Sequence, residues 1–140
     1  MSFTHLHVHS HYSLLNGLPQ IKPLVQGAKG RGFGALALTD SGAMYGAIEF
    51  YEVCLAEGIK PVIGFEAYIT QQFFPLILLA ENYAGYQNLM KLCSEAHTRG
   101  LFIGRPQLDK ETLAQHHEHI IALSGDIGGE LPSLIKDGKL

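Results

Sequence analysis

Ala35-Leu36-Ala37-Leu38-Thr39-Asp40 is an unbroken apolar run that ends on a hydroxyl and a carboxylate. A short run without polar alternation suits a strand buried on both faces. Upstream, Ile21, Leu24, Val25 and Ala28 recur at helical spacing, with Gly30 and Gly32 as a stop. Downstream, Gly42 to Glu57 reads as a helix with Ile48, Tyr51 and Leu55 on one stripe and Gly58 at its end. Pro61 to Ile69 is predicted as a third strand, Leu76 to Ala80 as a fourth, and His119 to Leu123 as a fifth. Helices are predicted from Tyr83 to Thr98, from Asp109 to His116 and from Glu130 to Lys136. At the start, Phe3, Leu6 and Val8 read as the first strand, with His5, His7 and His9 alternating between them. Alternating strands and helices with doubly apolar strands predict an α/β fold with a mostly parallel sheet or barrel.

Two features depart from that pattern. Parallel neighbours need a crossover of about a dozen residues, yet only Thr70 to Pro75 separates the third and fourth strands. Either those strands pair antiparallel or a segment has been shortened, and the second is the expectation. The five predicted strands also fall short of the roughly eight that close a parallel barrel. The expectation is a single domain over residues 1–140, shortened near 70–75 and truncated at its C-terminus.

Composition narrows the classes. The 140 residues are 46% hydrophobic and 16% charged, with a net charge of −3, which fits a globular domain and no broad basic nucleic-acid surface. DNA contact is therefore expected only indirectly. Cys54 and Cys93 form no paired motif and read as core residues of a protein from a reducing cytoplasm. No apolar run reaches the ~18 residues a membrane helix needs.

The chemistry concentrates in a few places. On a strand, His5, His7 and His9 would share one face, and two imidazoles at that spacing can bind one zinc or manganese ion. Asp40 follows the second strand, as a site acid or, more simply, a helix N-cap. Glu66 lies between Phe65 and Ala67, where a carboxylate is costly unless it is paired, metal-bound or on an edge facing water. Asp126, in Ser124-Gly125-Asp126-Ile127-Gly128-Gly129-Glu130, follows the fifth strand in a turn that glycines open to close approach. His116, His117 and His119 precede a strand and read as surface residues. The candidates follow strands one, two, three and five at one end, which suggests a metal-dependent hydrolase or a relic of one.

Phe3 to Gly17 is similar to the opening of bacterial DNA polymerase III alpha subunits. Similarity continues through Ala35 to Tyr51, Gly58 to Tyr68, Leu76 to Leu92 and Ser124 to Glu130. Nearly the whole chain thus resembles the PHP (polymerase and histidinol phosphatase) domain family. The resemblance implies a distorted, here incomplete (β/α)7-type barrel. It also implies a metal cluster of zinc, manganese or iron that hydrolyses phosphoesters in active members and trims DNA 3′ ends in some polymerases. The implied partners are the remainder of the polymerase alpha subunit and a proofreading exonuclease subunit. His7 and His9 match the first metal motif of the family, and Glu66 matches the acid of the third strand. Four positions depart: Asn16 stands for Asp, Ser41 for His, Pro75 for His, and Asp126 for Cys. Asn16 and Asp126 still offer oxygen, Ser41 is a poor substitute and Pro75 is none. The expected role is a structural domain of a replicative polymerase with a degenerate site at His7, His9, Glu66 and Asp126. The alternatives are an active phosphoesterase or 3′–5′ exonuclease, and a small-molecule phosphatase of the histidinol phosphatase type.

Overall fold

The computed structural model describes residues 3–69 and 72–139. Thr70 and Gln71, inside the expected shortened segment, lie outside the described residues. The elements are α1 (Ile21–Gly30), β1 (Ala35–Leu38), α2 (Ala47–Glu57), β2 (Lys60–Ile69), β3 (Phe74–Ala80), α3 (Tyr83–Thr98), β4 (Leu101–Phe102), β5 (Arg105–Pro106), α4 (Lys110–Gln115), β6 (Ile120–Leu123) and α5 (Glu130–Lys136). Four strands form one sheet in the order β1-β2-β3-β6, and β4 pairs with β5 alone.

The sheet corrects the expectation of mostly parallel pairing. β1 and β2 run parallel, with Leu38 opposite Ile63. β2 and β3 are antiparallel from Gly64↔Leu79 to Ile69↔Phe74, and β3 and β6 are antiparallel from Ile77↔Leu123 to Ala80↔Ile120. The connection after Ile69 is too short for a crossover, so the chain turns back on itself. The antiparallel alternative is the one the structure adopts. β6 thereby runs in the same direction as β2.

The predicted first strand is corrected too. Residues 3–9 are irregular, with a bend at Leu6 and His7. The segment nevertheless lies along the free edge of β1, where the Ala37 N–H donates to His5 O (3.0 Å) and the Thr39 N–H to Val8 O (2.8 Å). The arm covers an edge that would otherwise expose unpaired backbone groups.

Side-chain alternation divides the sheet into two faces. Leu36, Leu38, Ile63, Phe65, Ala67 and Leu78 point to the helices. One cluster packs α1 and α2 on β1 through Ile21, Val25, Phe50 and Cys54. A second packs α3 on β2 and β3 through Leu89, Leu92 and Ala96. The opposite face carries a smaller group, Ala37, Ile77 and Leu79, with Val62 and Leu123 beside it. Glu66 belongs to this second face.

α2 also differs from its prediction. It starts at Ala47, and it buries Ala47, Phe50 and Cys54. Ile48, Tyr51 and Leu55 face outward. Both stripes have helical spacing, and the one carrying Phe50 and Cys54 fits against α1. α3 occupies the predicted span, capped by the Asn82 side chain accepting from the Gly85 N–H. The cysteines are free, Cys54 buried in the first cluster and Cys93 packed against the second. Burial pushes the Cys54 thiol up to about 12, so it stays protonated and inert. Among the described residues, no helix is long and apolar enough to cross a membrane.

Candidate metal centre

Glu66 sits in the middle of β2, paired on both sides, and is 7% exposed. The edge-strand explanation of this carboxylate therefore fails, because β2 is central. A carboxylate in such a place needs partners, and Glu66 has several. Oε2 lies 2.8 Å from His7 Nε2 and 3.3 Å from His9 Nε2. Oε1 accepts from the Tyr68 hydroxyl at 2.7 Å and lies 3.5 Å from Ser41 Oγ. Burial alone would push the carboxyl up, but hydrogen bonds from His9, Tyr68 and His7 outweigh it and hold Glu66 at about 2. The bond to Glu66 raises His9 above its usual 6.5, against a smaller opposing effect of burial.

Tyr68 was not foreseen as part of the site. The available signal was its spacing: two residues beyond Glu66 on one strand, it shares Glu66's face. By occupying Oε1, the phenol leaves Oε2 to the two imidazoles. Burial, with the bond to Glu66 adding to it, raises the Tyr68 hydroxyl, so it remains a donor.

The two histidines are aimed by a buried network. Ser10, Ser13 and Asp40 are 0%, 1% and 1% exposed. Asp40 Oδ1 accepts from the Ser10 N–H (2.6 Å) and the Ser13 hydroxyl (2.6 Å), and Oδ2 accepts from the Ser10 hydroxyl (2.8 Å). Asp40 thus pins the segment that follows His9. It does not cap α2, whose N-cap is Gly46. Upstream, the Thr39 hydroxyl accepts from the Val8 N–H at 2.8 Å. Gly17 closes the loop: a Cβ there would stand 2.0 Å from Ser10 O, so no other residue allows this approach without a backbone shift.

The positions expected in the site separate as follows. His7, His9 and Glu66 come together, each offering one ligand atom within 4.8 Å of the others. His5 does not join them. It packs on Phe3 and Phe33 at centroid distances of 4.7 and 5.3 Å, because the bend at Leu6 breaks the strand alternation. Asp126 lies at the same end of the sheet but outside the cluster, where its Oδ1 accepts from the Gly128 N–H at 2.7 Å. Asn16 borders a shallow pocket with His7 and His9. Its amide Nδ2 lies 3.5 Å from Ser41 Oγ. Pro75 is in β3, opposite Tyr68. His117 and His119 are exposed and His116 is half-buried, away from the cluster.

The donor set fits a divalent metal. Ligands about 2.0–2.1 Å from a tetrahedral ion stand about 3.3 Å apart. The three nitrogen and oxygen donors here are separated by 2.8, 3.2 and 3.3 Å. Two imidazoles and one carboxylate held ionised are suitable chemistry for such an ion.

A family model described as PHP domain matches residues 5–139. The chain is 47% identical to DNA polymerase III subunit alpha of Treponema pallidum, over 99% of this chain and 13% of that subunit. It is 39% identical to the corresponding subunit of Thermus aquaticus, over 100% of this chain and 13% of the relative. The chain therefore spans only about an eighth of the curated relatives it matches. Among solved structures, a Bifidobacterium adolescentis protein assigned as a metal-dependent phosphoesterase superposes with a TM-score of 0.50 at 17% identity, covering 70% of this chain and 35% of that one. That likeness concerns the fold alone.

Proposed function

Because this chain belongs to the PHP domain family, we propose that it serves as the PHP domain of a replicative DNA polymerase alpha subunit and that it holds one divalent metal at His7, His9 and Glu66. The observation that carries the metal reading is the buried, ionised Glu66 with both imidazoles on its Oε2. Zinc, manganese and iron all suit two nitrogens and one oxygen. The remainder of the alpha subunit is the natural partner. The alignments support a shortened interior: 152 aligned positions for 140 residues leave at least 152 − 140 = 12 positions where the Treponema pallidum subunit has residues this chain lacks.

The domain's role in this reading is chiefly architectural. Among the described residues, no further His, Cys or carboxylate joins the His7–His9–Glu66 group: Ser41 and Pro75 replace expected histidines, and Asp126 lies outside the cluster. A bound divalent ion would supply Lewis acidity toward a phosphoryl oxygen and acidify a bound water. The chain's own residues would orient that chemistry. Glu66 stays ionised, Tyr68 fixes which carboxylate oxygen faces the imidazoles, and Asp40 holds the His9 segment in place.

A second reading, a working phosphoesterase or 3′–5′ exonuclease, is favoured by the close match of donor spacing to a metal polyhedron. Elemental analysis of the purified chain beside a His7→Ala/His9→Ala double variant tests the metal. About one equivalent per chain, lost in the variant, is expected; equal metal in both would refute the site. Manganese-dependent release of nucleotides from a single strand, abolished by Glu66→Gln, would favour the hydrolytic reading over the architectural one.

A further inference from the structure

The sheet face that carries Glu66 continues into an aromatic group. Tyr68 donates its hydroxyl to Glu66 and stands 6.4 Å, edge-on, from Phe73. Phe73 lies 6.0 Å from Phe102, with the rings inclined by 37°. Phe102 and Arg105 are carried by the β4–β5 hairpin, and the guanidinium carbon of Arg105 lies 5.5 Å from the Phe73 ring centroid. Gly42 seats this hairpin beside the site. Its φ is +64°, and a Cβ would come within 2.8 Å of Pro106 Cγ and 3.7 Å of the Tyr68 ring. A continuous path of side chains thus runs from the metal ligand Glu66 to an exposed cation flanked by aromatic faces.

We propose that Arg105, Phe73 and Phe102 form a platform for one nucleotide unit of single-stranded nucleic acid. The phosphate would sit on the guanidinium and the base against the phenylalanine rings. This rests on the phosphoester reading of the neighbouring His7–His9–Glu66 centre, to which the platform would present a phosphodiester. The guanidinium offers a planar fork of donors that matches phosphate oxygens. Among the described residues, no carboxylate forms an ion pair with Arg105. Phe102 is 40% exposed, and Arg105 is exposed as well. Every base has a stackable face, so an aromatic pair beside a cation reads a strand without regard to sequence. With a net charge of −3, the chain cannot hold nucleic acid by a general basic surface and needs a local device of this kind. A small phosphate monoester would use Arg105 and leave both rings idle, which is why a nucleotide is the ligand assigned.

The test is an NMR titration of the 15N-labelled 140-residue chain, free of metal and at low salt, with a short single-stranded oligodeoxythymidylate. Inorganic phosphate and thymidine serve as separate arms. The expected result is shifts of the amides of Phe73, Phe102 and Arg105, with the oligonucleotide binding more tightly than either part alone. Arg105→Ala should weaken binding about tenfold and lower the salt slope by about one. Phe102→Ala should weaken it roughly five- to tenfold with the slope unchanged. Both variants should keep the parent's metal content, since neither touches His7, His9 or Glu66, and binding is compared well below each variant's melting temperature. Should Arg105→Ala melt early, Arg105→Gln is read in its place. Absence of binding, variants that bind like the parent, shifts confined to another surface, or phosphate alone binding as tightly as the strand would each overturn the platform. A chain that takes up metal but whose variants are indifferent to the strand refutes the platform alone. A chain that binds the strand here but takes up no metal refutes the metal reading alone.

Discussion

Asp40 is the residue on which the site's geometry most depends, although it touches neither imidazole. Its carboxylate accepts three hydrogen bonds from Ser10 and Ser13, all in a place closed to water. Asp40→Ala leaves those buried donors without an acceptor, at about 1–3 kcal/mol for each unsatisfied group. The expected loss is at least about 3 kcal/mol of unfolding free energy by urea titration, with weaker metal binding. Asp40→Asn keeps one oxygen, and the hydroxyls can rotate toward its amide, so a smaller loss is expected. Equal losses would show that charge rather than hydrogen-bond geometry matters. The His9–Glu66 pair makes a pH prediction for the metal-free chain. His9 is raised, so its contribution is complete below 6.5 and is lost as pH rises through the higher folded value. Glu66 is lowered to about 2, so its contribution is present above 4.5 and is lost as pH falls toward 2. The two shifts describe one shared interaction, and the melting temperature should peak between pH 4.5 and 6.5. His9→Gln should flatten the alkaline side of that curve. An unchanged curve would mean that the pair does not stabilise the fold.

Among the elements, the β4–β5 hairpin has the least suitable sequence. Its two turn residues, Ile103 and Gly104, have φ of 50° and 74°, the left-handed pair that a two-residue primed turn requires. Asparagine tolerates that region and isoleucine does not. Ile103 is 82% exposed, so little packing would be lost on replacing it. Ile103→Asn should raise stability by about 1 kcal/mol, read as an upward shift in thermal melting; a fall would mean that Ile103 makes contacts worth more than the strain. This hairpin was not legible in the sequence, because Gly104 supplies only half of the usual Asn-Gly or Asp-Gly pair and Ile103 occupies the other turn position. α3 was legible from Leu89, Met90, Leu92 and Cys93 along Tyr83 to Thr98, and the structure adds its Asn82 cap and the burial of Ala96. α2 was legible as a helix but not in its orientation, since Ile48, Tyr51 and Leu55 have the same spacing as Ala47, Phe50 and Cys54. The arm at residues 3–9 mimics a strand through His5-Leu6-His7-Val8-His9, yet its bonds to the sheet edge are irregular: His5 accepts from Ala37 in β1 and Val8 from Thr39 just beyond it. Of the site, His7, His9 and Glu66 were legible from residue type and position. The Ser10–Ser13–Asp40 network joins positions some thirty residues apart, and no local pattern announces it.

At the scale of the molecule, strand direction was the largest departure. An apolar run does not encode its direction, and the brevity of the Ile69–Phe74 connection was the one clue to antiparallel pairing. The proposed metal ligands are divided between two parts of this architecture: His7 and His9 on the edge arm, Glu66 on the central strand. A divalent ion would therefore stabilise the folded chain by mass action, by about 4 kcal/mol at a thousandfold excess over its dissociation constant. Melting temperature should rise with added zinc or manganese, and Glu66→Gln should remove that rise. Among the described residues, two backbone bonds join the arm to β1 and the residue just beyond it, at Ala37 and Thr39. Those two amide protons are consequently gauges of arm detachment. Their exchange with deuterated solvent follows how often residues 5–8 peel away, whereas amides bonded between β2 and β3 follow opening of the sheet. Tethering the arm to Glu66 through an ion should slow exchange at Ala37 and Thr39 far more than at the β2–β3 amides, so that one bound atom turns a frayed margin into part of the cooperative fold.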